Sequence, residues 1–215
     1  MNDTTLRITE IFLSLQGESS TIGWPTVFVR LTGCPLRCVY CDTAYAFSGG
    51  HKQSLSEIVQ QVKSYGVNHV TVTGGEPLAQ PNCLPLLTHL CDQSLQVSLE
   101  TSGAIDIVDI DQRVMIVMDL KTPASQECHR NVYQNLQYLK QTDQVKFVIC
   151  NRDDYDWAKS QLVQYNLTTH CQVLLSPSYG QVNPAELAQW IVEDRLSVRF
   201  QMQLHKILWG DQPGK

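Results

Sequence analysis

No stretch of this 215-residue chain approaches the roughly 18 consecutive apolar residues needed to cross a bilayer, so a membrane-spanning helix is excluded. Positive charge is also short. Sixteen Lys and Arg against 21 Asp and Glu leave a net charge of -5, which excludes a nucleic-acid partner gripped through a broad basic face. Linkers, low-complexity tracts and internal repeats are missing. With 43% hydrophobic residues, residues 1–215 read as a single domain able to bury a core. A charged, apolar, small-residue leader is missing too, so the expectation is a cytoplasmic protein in a compartment that keeps thiols reduced.

Cysteine, by contrast, is plentiful: the chain has eight, and three of them stand together. Cys34, Cys38 and Cys41 form C-x3-C-x2-C within Thr32-Gly-Cys-Pro-Leu-Arg-Cys-Val-Tyr-Cys-Asp-Thr43, directly after the strand-like segment Thr26 to Leu31. Three thiolates match the protein ligands of a four-iron, four-sulfur (4Fe-4S) cluster whose fourth iron is left open, whereas an electron-transfer ferredoxin normally supplies four. Structural zinc usually takes four protein ligands, often as two pairs, and no second pair is present. Cys83, Cys91, Cys128, Cys150 and Cys171 are scattered in apolar or helix-like contexts, where cysteine acts as a small hydrophobe. A thioredoxin-like pair at Cys38 and Cys41 leaves Cys34 unexplained.

Short runs rich in Val, Ile and Leu alternate with segments of helical periodicity, the order of a parallel sheet with crossover helices. Strands are expected to begin near Thr26, Val70, Leu95, Val114, Val145, Gln172 and Val198, with a further strand over Arg7 to Leu15. A helix over Leu55 to Tyr65 has Ser54 as cap, Glu57 completing a capping box, and Gly66 as stop. Another, Pro184 to Asp194, has Asn183 as cap and proline in its first turn. Seven or so βα units are too few for an eight-fold barrel, so the fold class is α/β with a partial or distorted (β/α) barrel; a doubly wound open sheet is the alternative. Either architecture gathers chemistry at the C-terminal ends of the strands.

Four motifs fall at such ends: Thr73-Gly-Gly-Glu-Pro77, Leu99-Glu-Thr-Ser-Gly103, Asp119-Leu-Lys-Thr-Pro123 and Ser176-Pro-Ser-Tyr179. Two consecutive glycines let a backbone come close to a ligand. Taken one at a time, the motifs also read as ordinary turns or solvated strand ends. Joined to the cysteine spacing, they resemble the radical S-adenosylmethionine (SAM) superfamily, which holds SAM on the open iron. The resemblance implies SAM contacts at Gly75, Glu76, Glu100, Ser102, Asp119, Leu120, Lys121, Ser176, Pro177, Ser178 and Tyr179.

Within that superfamily, Glu10-Ile-Phe-Leu-Ser-Leu-Gln-Gly-Glu-Ser19, Gly23-Trp-Pro-Thr-Val-Phe-Val-Arg-Leu-Thr-Gly-Cys34 and Gln203-Leu-His-Lys-Ile-Leu-Trp209 resemble the 7-carboxy-7-deazaguanine synthase family over nearly the whole chain. That family contracts a pterin, 6-carboxy-5,6,7,8-tetrahydropterin, to a deazaguanine with loss of ammonia, as a lyase on the queuosine and deazapurine path. The resemblance implies that Leu15, Gln16 and Gly17 line the substrate pocket, and that Glu18 accepts the N–H donors of the pterin's guanidine edge. It further implies substrate contacts from Arg30, Thr73 and His205, Mg2+ on Thr43, and the 4Fe-4S cluster on Cys34, Cys38 and Cys41. A homodimer and an electron donor such as flavodoxin or ferredoxin follow in the same way.

Two rivals remain at this level. A glycyl-radical activase shares the cysteine spacing and a small partial barrel, but has no use for a polar small-molecule pocket at Leu15 to Glu18 and Arg30. A non-catalytic Fe-S or zinc module needs a fourth ligand, for which His51 is the nearby candidate.

Overall fold

The computed structural model describes residues 4–210, 212 and 214. In chain order the elements are β1 (Thr5–Leu15), β2 (Pro25–Leu31), β3 (His51–Ser54), α1 (Leu55–Ser64), β4 (His69–Gly74), α2 (Cys83–Asp92), β5 (Gln96–Thr101), β6 (Met115–Asp119) and β7 (Gln144–Ile149). Then follow α3 (Arg152–Gln164), α4 (Leu167–His170), β8 (Gln172–Pro177), α5 (Pro184–Glu193), β9 (Arg199–Phe200) and α6 (Leu204–Trp209).

Among the described residues nine strands join one sheet in the order β3-β1-β2-β4-β5-β6-β7-β8-β9. From β2 to β9 every pairing is parallel, while β1 runs antiparallel to both β2 and β3. The terminal strands β3 and β9 do not pair with each other, so the sheet is an open, partial barrel.

Alternation along the strands separates a dry face from a polar one. Val27, Val29 and Leu31 of β2, Val70 and Val72 of β4, Val97 and Leu99 of β5, and Val145, Phe147 and Ile149 of β7 join the core with Leu86, Leu90 and Tyr155 from the helices. The intervening positions Phe28, Arg30, Thr73, Glu100, Asp119, Lys146 and Ser176 turn to the concave side and line one cavity.

Local signals set the helix ends. Ser54 and Glu57 exchange hydrogen bonds in a capping box, Glu57 N to Ser54 Oγ at 3.3 Å and Ser54 N to Glu57 Oε2 at 2.8 Å. Asn183 caps α5 by accepting from Ala185 N at 2.9 Å. Two features depart from a plain strand–helix alternation. The polar segment His-Lys-Gln-Ser is a strand, β3, because β1 offers it a free antiparallel edge with Thr5 opposite Ser54 and Ile8 opposite His51. The β5–β6 and β6–β7 connections contain no α-helix; short 3-10 turns at Pro123–Ser125, Cys128–Arg130 and Tyr133–Tyr138 serve the second instead.

Candidate active site

The concave face encloses a cavity of about 430 Å3, a common size for a small-molecule site. One wall is the cysteine loop. Cys34, Cys38 and Cys41 are free thiols, each partly exposed, and all three line the cavity. Among the described residues no three His, Cys, Asp or Glu side chains gather closely enough to hold a single metal ion. The three thiols share one wall of the cavity. Burial pushes all three thiols up, Cys38 to about 11, so they are protonated until a metal draws off the protons.

The loop is braced by the backbone around it. Arg37 Nη1 donates to the carbonyls of Cys34 (2.8 Å) and Leu36 (2.6 Å), and its guanidinium lies 4.2 Å from the Phe47 ring centroid. The glycines of Thr73-Gly-Gly-Glu-Pro77 press against the same loop: Gly75 N donates to Leu31 O at 3.3 Å and Glu76 N to Gly33 O at 2.9 Å. A side chain on Gly74 would strike Leu31 backbone, and one on Gly75 would strike Gly33 and Cys34. The close approach that demands two glycines is thus to the chain's own cysteine loop.

Glu76 is completely buried and its carboxylate is consumed internally. It accepts from Leu78 N (3.0 Å), Thr101 Oγ1 (3.0 Å), and both the backbone N (2.7 Å) and hydroxyl of Ser102. That carboxylate ties the glycine turn to the end of β5 and does not line the cavity. Leu120 also departs from the expected set, since its side chain lies in the core. The other expected residues all reach the cavity wall: Leu15, Gln16, Gly17, Glu18, Arg30, Thr43, Thr73, Gly75, Glu100, Ser102, Asp119, Lys121, Ser176, Pro177, Ser178, Tyr179 and His205.

The opposite wall is built from charges distant in sequence. Glu18 Oε2 sits 2.7 Å from Lys146 Nζ, Oε1 accepts from Gln203 Nε2 at 2.9 Å, and Gln201 Nε2 approaches Oε2 at 3.4 Å. Leu204 N donates to Gly17 O at 3.0 Å, which docks α6; a side chain on Gly17 would strike His205. Burial lowers the His205 pKa, although Glu18 and Asp42 pull the other way. Arg30 is steadied by Glu10 opposite it on β1, Nε to Oε1 at 2.7 Å, and Tyr45 OH donates to the same oxygen at 2.8 Å.

A polar seam joins the walls. Thr73 Oγ1 donates to Glu100 Oε2 at 2.9 Å, and Gln16 Nε2 reaches Glu100 Oε1 at 3.4 Å and Thr71 Oγ1 at 3.1 Å. Burial raises the Glu100 pKa. Lys121 Nζ pairs with Asp119 Oδ2 at 2.9 Å and lies 5.7 Å from the Tyr40 ring centroid, beside the cysteines. Thr43 Oγ1 donates to Asp42 Oδ1 at 2.7 Å, which puts hydroxyl and carboxylate oxygens together at the rim, a donor set suited to Mg2+. Lys146, Gln201, Gln203 and Glu10 escaped the sequence reading. Lys146 had one signal, a charge in mid-strand on the face opposite Val145, Phe147 and Ile149.

Residues 28–124 match the family model of the Radical SAM superfamily, which defines the class of protein: a radical SAM enzyme with a 4Fe-4S cluster and SAM as its cofactors. The protein is 41% identical over 211 residues to the 7-carboxy-7-deazaguanine synthase of Chlorobaculum tepidum, covering 97% of this chain and 96% of that one. It is 40% identical to the synthase of Koribacter versatilis, covering 95% and 97%. The chain belongs to the 7-carboxy-7-deazaguanine synthase family. The crystal structure of QueE from Escherichia coli shares the fold, with a TM-score of 0.78 at 21% identity over 94% of this chain and 95% of that one. Streptococcus suis SuiB bound to precursor peptide SuiA is similar at a TM-score of 0.60 and 13% identity, over 80% of this chain and 46% of that one. Full-length membership in a synthase family decides against the activase and binding-module alternatives.

Proposed function

We propose that this chain converts 6-carboxy-5,6,7,8-tetrahydropterin to 7-carboxy-7-deazaguanine with release of ammonia. The observation that carries the reading is one cavity lined both by the three thiols and by Gln16, Glu18, Arg30, Thr73 and His205. Cys34, Cys38 and Cys41 hold the 4Fe-4S cluster. When bound, the cluster and SAM together supply a radical able to take a hydrogen atom from carbon.

Glu18 accepts paired N–H donors of the guanidine edge, a charge-assisted arrangement that fixes the ring's orientation. Leu15, Gln16 and Gly17 form the seat beside it, with Arg30 and Thr73 meeting the ring's polar atoms. His205 donates an N–H to the substrate carboxylate, and Thr43 would offer its oxygen to Mg2+, which would supply positive charge near that end of the substrate. Gly75, Ser102, Asp119, Lys121 and Ser176 to Tyr179 surround SAM, with Glu100 on the seam between the two ligands. For Glu76 and Leu120, backbone atoms are what remains for a SAM contact. Residues 1–215 act as a single radical SAM domain, of which 1–3, 211, 213 and 215 lie outside the described residues. The enzyme works as a cytoplasmic homodimer served by flavodoxin or ferredoxin. In support of that setting, no helix among the described residues is long and apolar enough to cross a membrane.

The test is anaerobic reconstitution followed by incubation with SAM, reductant, Mg2+ and the carboxytetrahydropterin. Deazaguanine formation is the expected result. An intact cluster that cleaves SAM but leaves the pterin unchanged overturns the substrate assignment.

A further inference from the structure

Lys146 stands between two carboxylates that belong to different halves of the cavity. Its Nζ is 2.7 Å from Glu18 Oε2 and 3.8 Å from Asp119 Oδ2. All of these side chains are mostly shielded: 14% of Lys146, 10% of Glu18 and 14% of Asp119 is exposed. Lys121 holds Asp119 Oδ2 from the cysteine side at 2.9 Å. The other oxygen, Asp119 Oδ1, is buried and has no hydrogen-bond partner among the described residues.

We infer that Lys146 is a positioning residue that couples the two ligand subsites, passing the arrival of substrate at Glu18 to Asp119 on the cofactor side. The inference rests on the substrate reading above. Both oxygens of Glu18 are already engaged, Oε1 by Gln203 and Oε2 by Lys146 and Gln201. A ring edge bringing two parallel N–H donors must displace part of that set. Lys146 is the displaced group with somewhere to go, because Asp119 Oδ2 lies just beyond hydrogen-bond distance. An ammonium drawn toward Asp119 leaves Oδ2 held by two cations and fixes the orientation of this cavity-lining carboxylate, whose Oδ1 has no other partner among the described residues, for a hydroxyl of SAM. Each ligand then tightens the other by the same factor, as linkage requires.

The test uses holoenzyme with its cluster oxidised and no reductant, so that nothing turns over. SAM affinity is measured calorimetrically with and without carboxytetrahydropterin. In the natural protein the pterin tightens SAM binding roughly five-fold or more. In Lys146→Met that ratio falls to within about two-fold of unity while both ligands still bind, and Lys146→Arg recovers part of it. If the Met variant does not fold, Lys146→Gln carries the same expectation. A variant lacking the ammonium that keeps the natural ratio overturns the inference, since the ligands are then coupled by direct contact. Pterin that binds the natural protein without changing SAM affinity overturns the coupling alone. Absence of pterin binding overturns the substrate reading and the coupling with it.

Discussion

The two walls of the cavity are assembled in opposite ways. The cysteine wall is a local loop of eight residues, Cys34 to Cys41, braced by backbone hydrogen bonds and by glycines that admit the neighbouring turn. The facing wall joins Glu18 to Lys146 across 128 positions and to Gln203 across 185, through side chains alone. A loop braced mainly by backbone groups, with side-chain help from Arg37 and Glu127, depends on few partners. A wall held by charges depends on every partner, because a buried ion left alone costs several kcal/mol. The arrangement suits the two tasks: a metal cluster supplies its own bonding energy, whereas reading a substrate edge needs charges already aimed.

Substitutions separate the walls. Cys38→Ala has the largest expected effect: iron content and the cluster's visible absorption are lost and SAM cleavage stops, while far-UV circular dichroism is unchanged because Cys38 contributes nothing to the core. Glu18→Gln leaves the cluster spectrum intact and raises the KM for the pterin roughly 100-fold, the worth of a charge-assisted donor pair. A cluster lost in that variant breaks the division between the walls. Glu76→Ala strands buried donors at Leu78 and Ser102 and lowers stability by about 3 kcal/mol, read as a thermal midpoint lower by roughly 6–12 °C. The smallest effect is on pH dependence. His205 has a folded pKa below its ordinary 6.5, chiefly through burial, so the unfolded chain takes up a proton first as pH falls. Its contribution is complete above pH 6.5 and declines as pH drops through the folded value. Denaturation midpoints between about pH 5.5 and 7.5 show a shallow slope that His205→Asn flattens.

Much of this was legible in the sequence where the signal was local. The parallel strands start within about one residue of their expected positions, since short aliphatic runs bounded by turns have few other uses. Arg30 reaches the cavity from the same strand face as Phe28, two positions before it. What stayed hidden was pairing. Glu10 meets Arg30 only through the antiparallel register of β1 and β2, and Lys146 meets Glu18 only once β7 lies across from the β1–β2 turn. The partners of Glu76 stayed hidden for a related reason: Thr101 and Ser102, which engage its carboxylate, come from the end of β5.

The docking of α6 on Gly17 has a consequence for biosynthesis. A chain emerging from the ribosome has made Cys34, Cys38 and Cys41 by residue 41, and the last groups that brace their loop, Ser125 and Glu127, by residue 127. The substrate wall cannot close until Gln203 and His205 have been made. Synthesis therefore finishes the metal site first and the specificity site last, and a ribosome that stalls between them releases a chain with the thiols to hold a cluster and nothing to direct its chemistry.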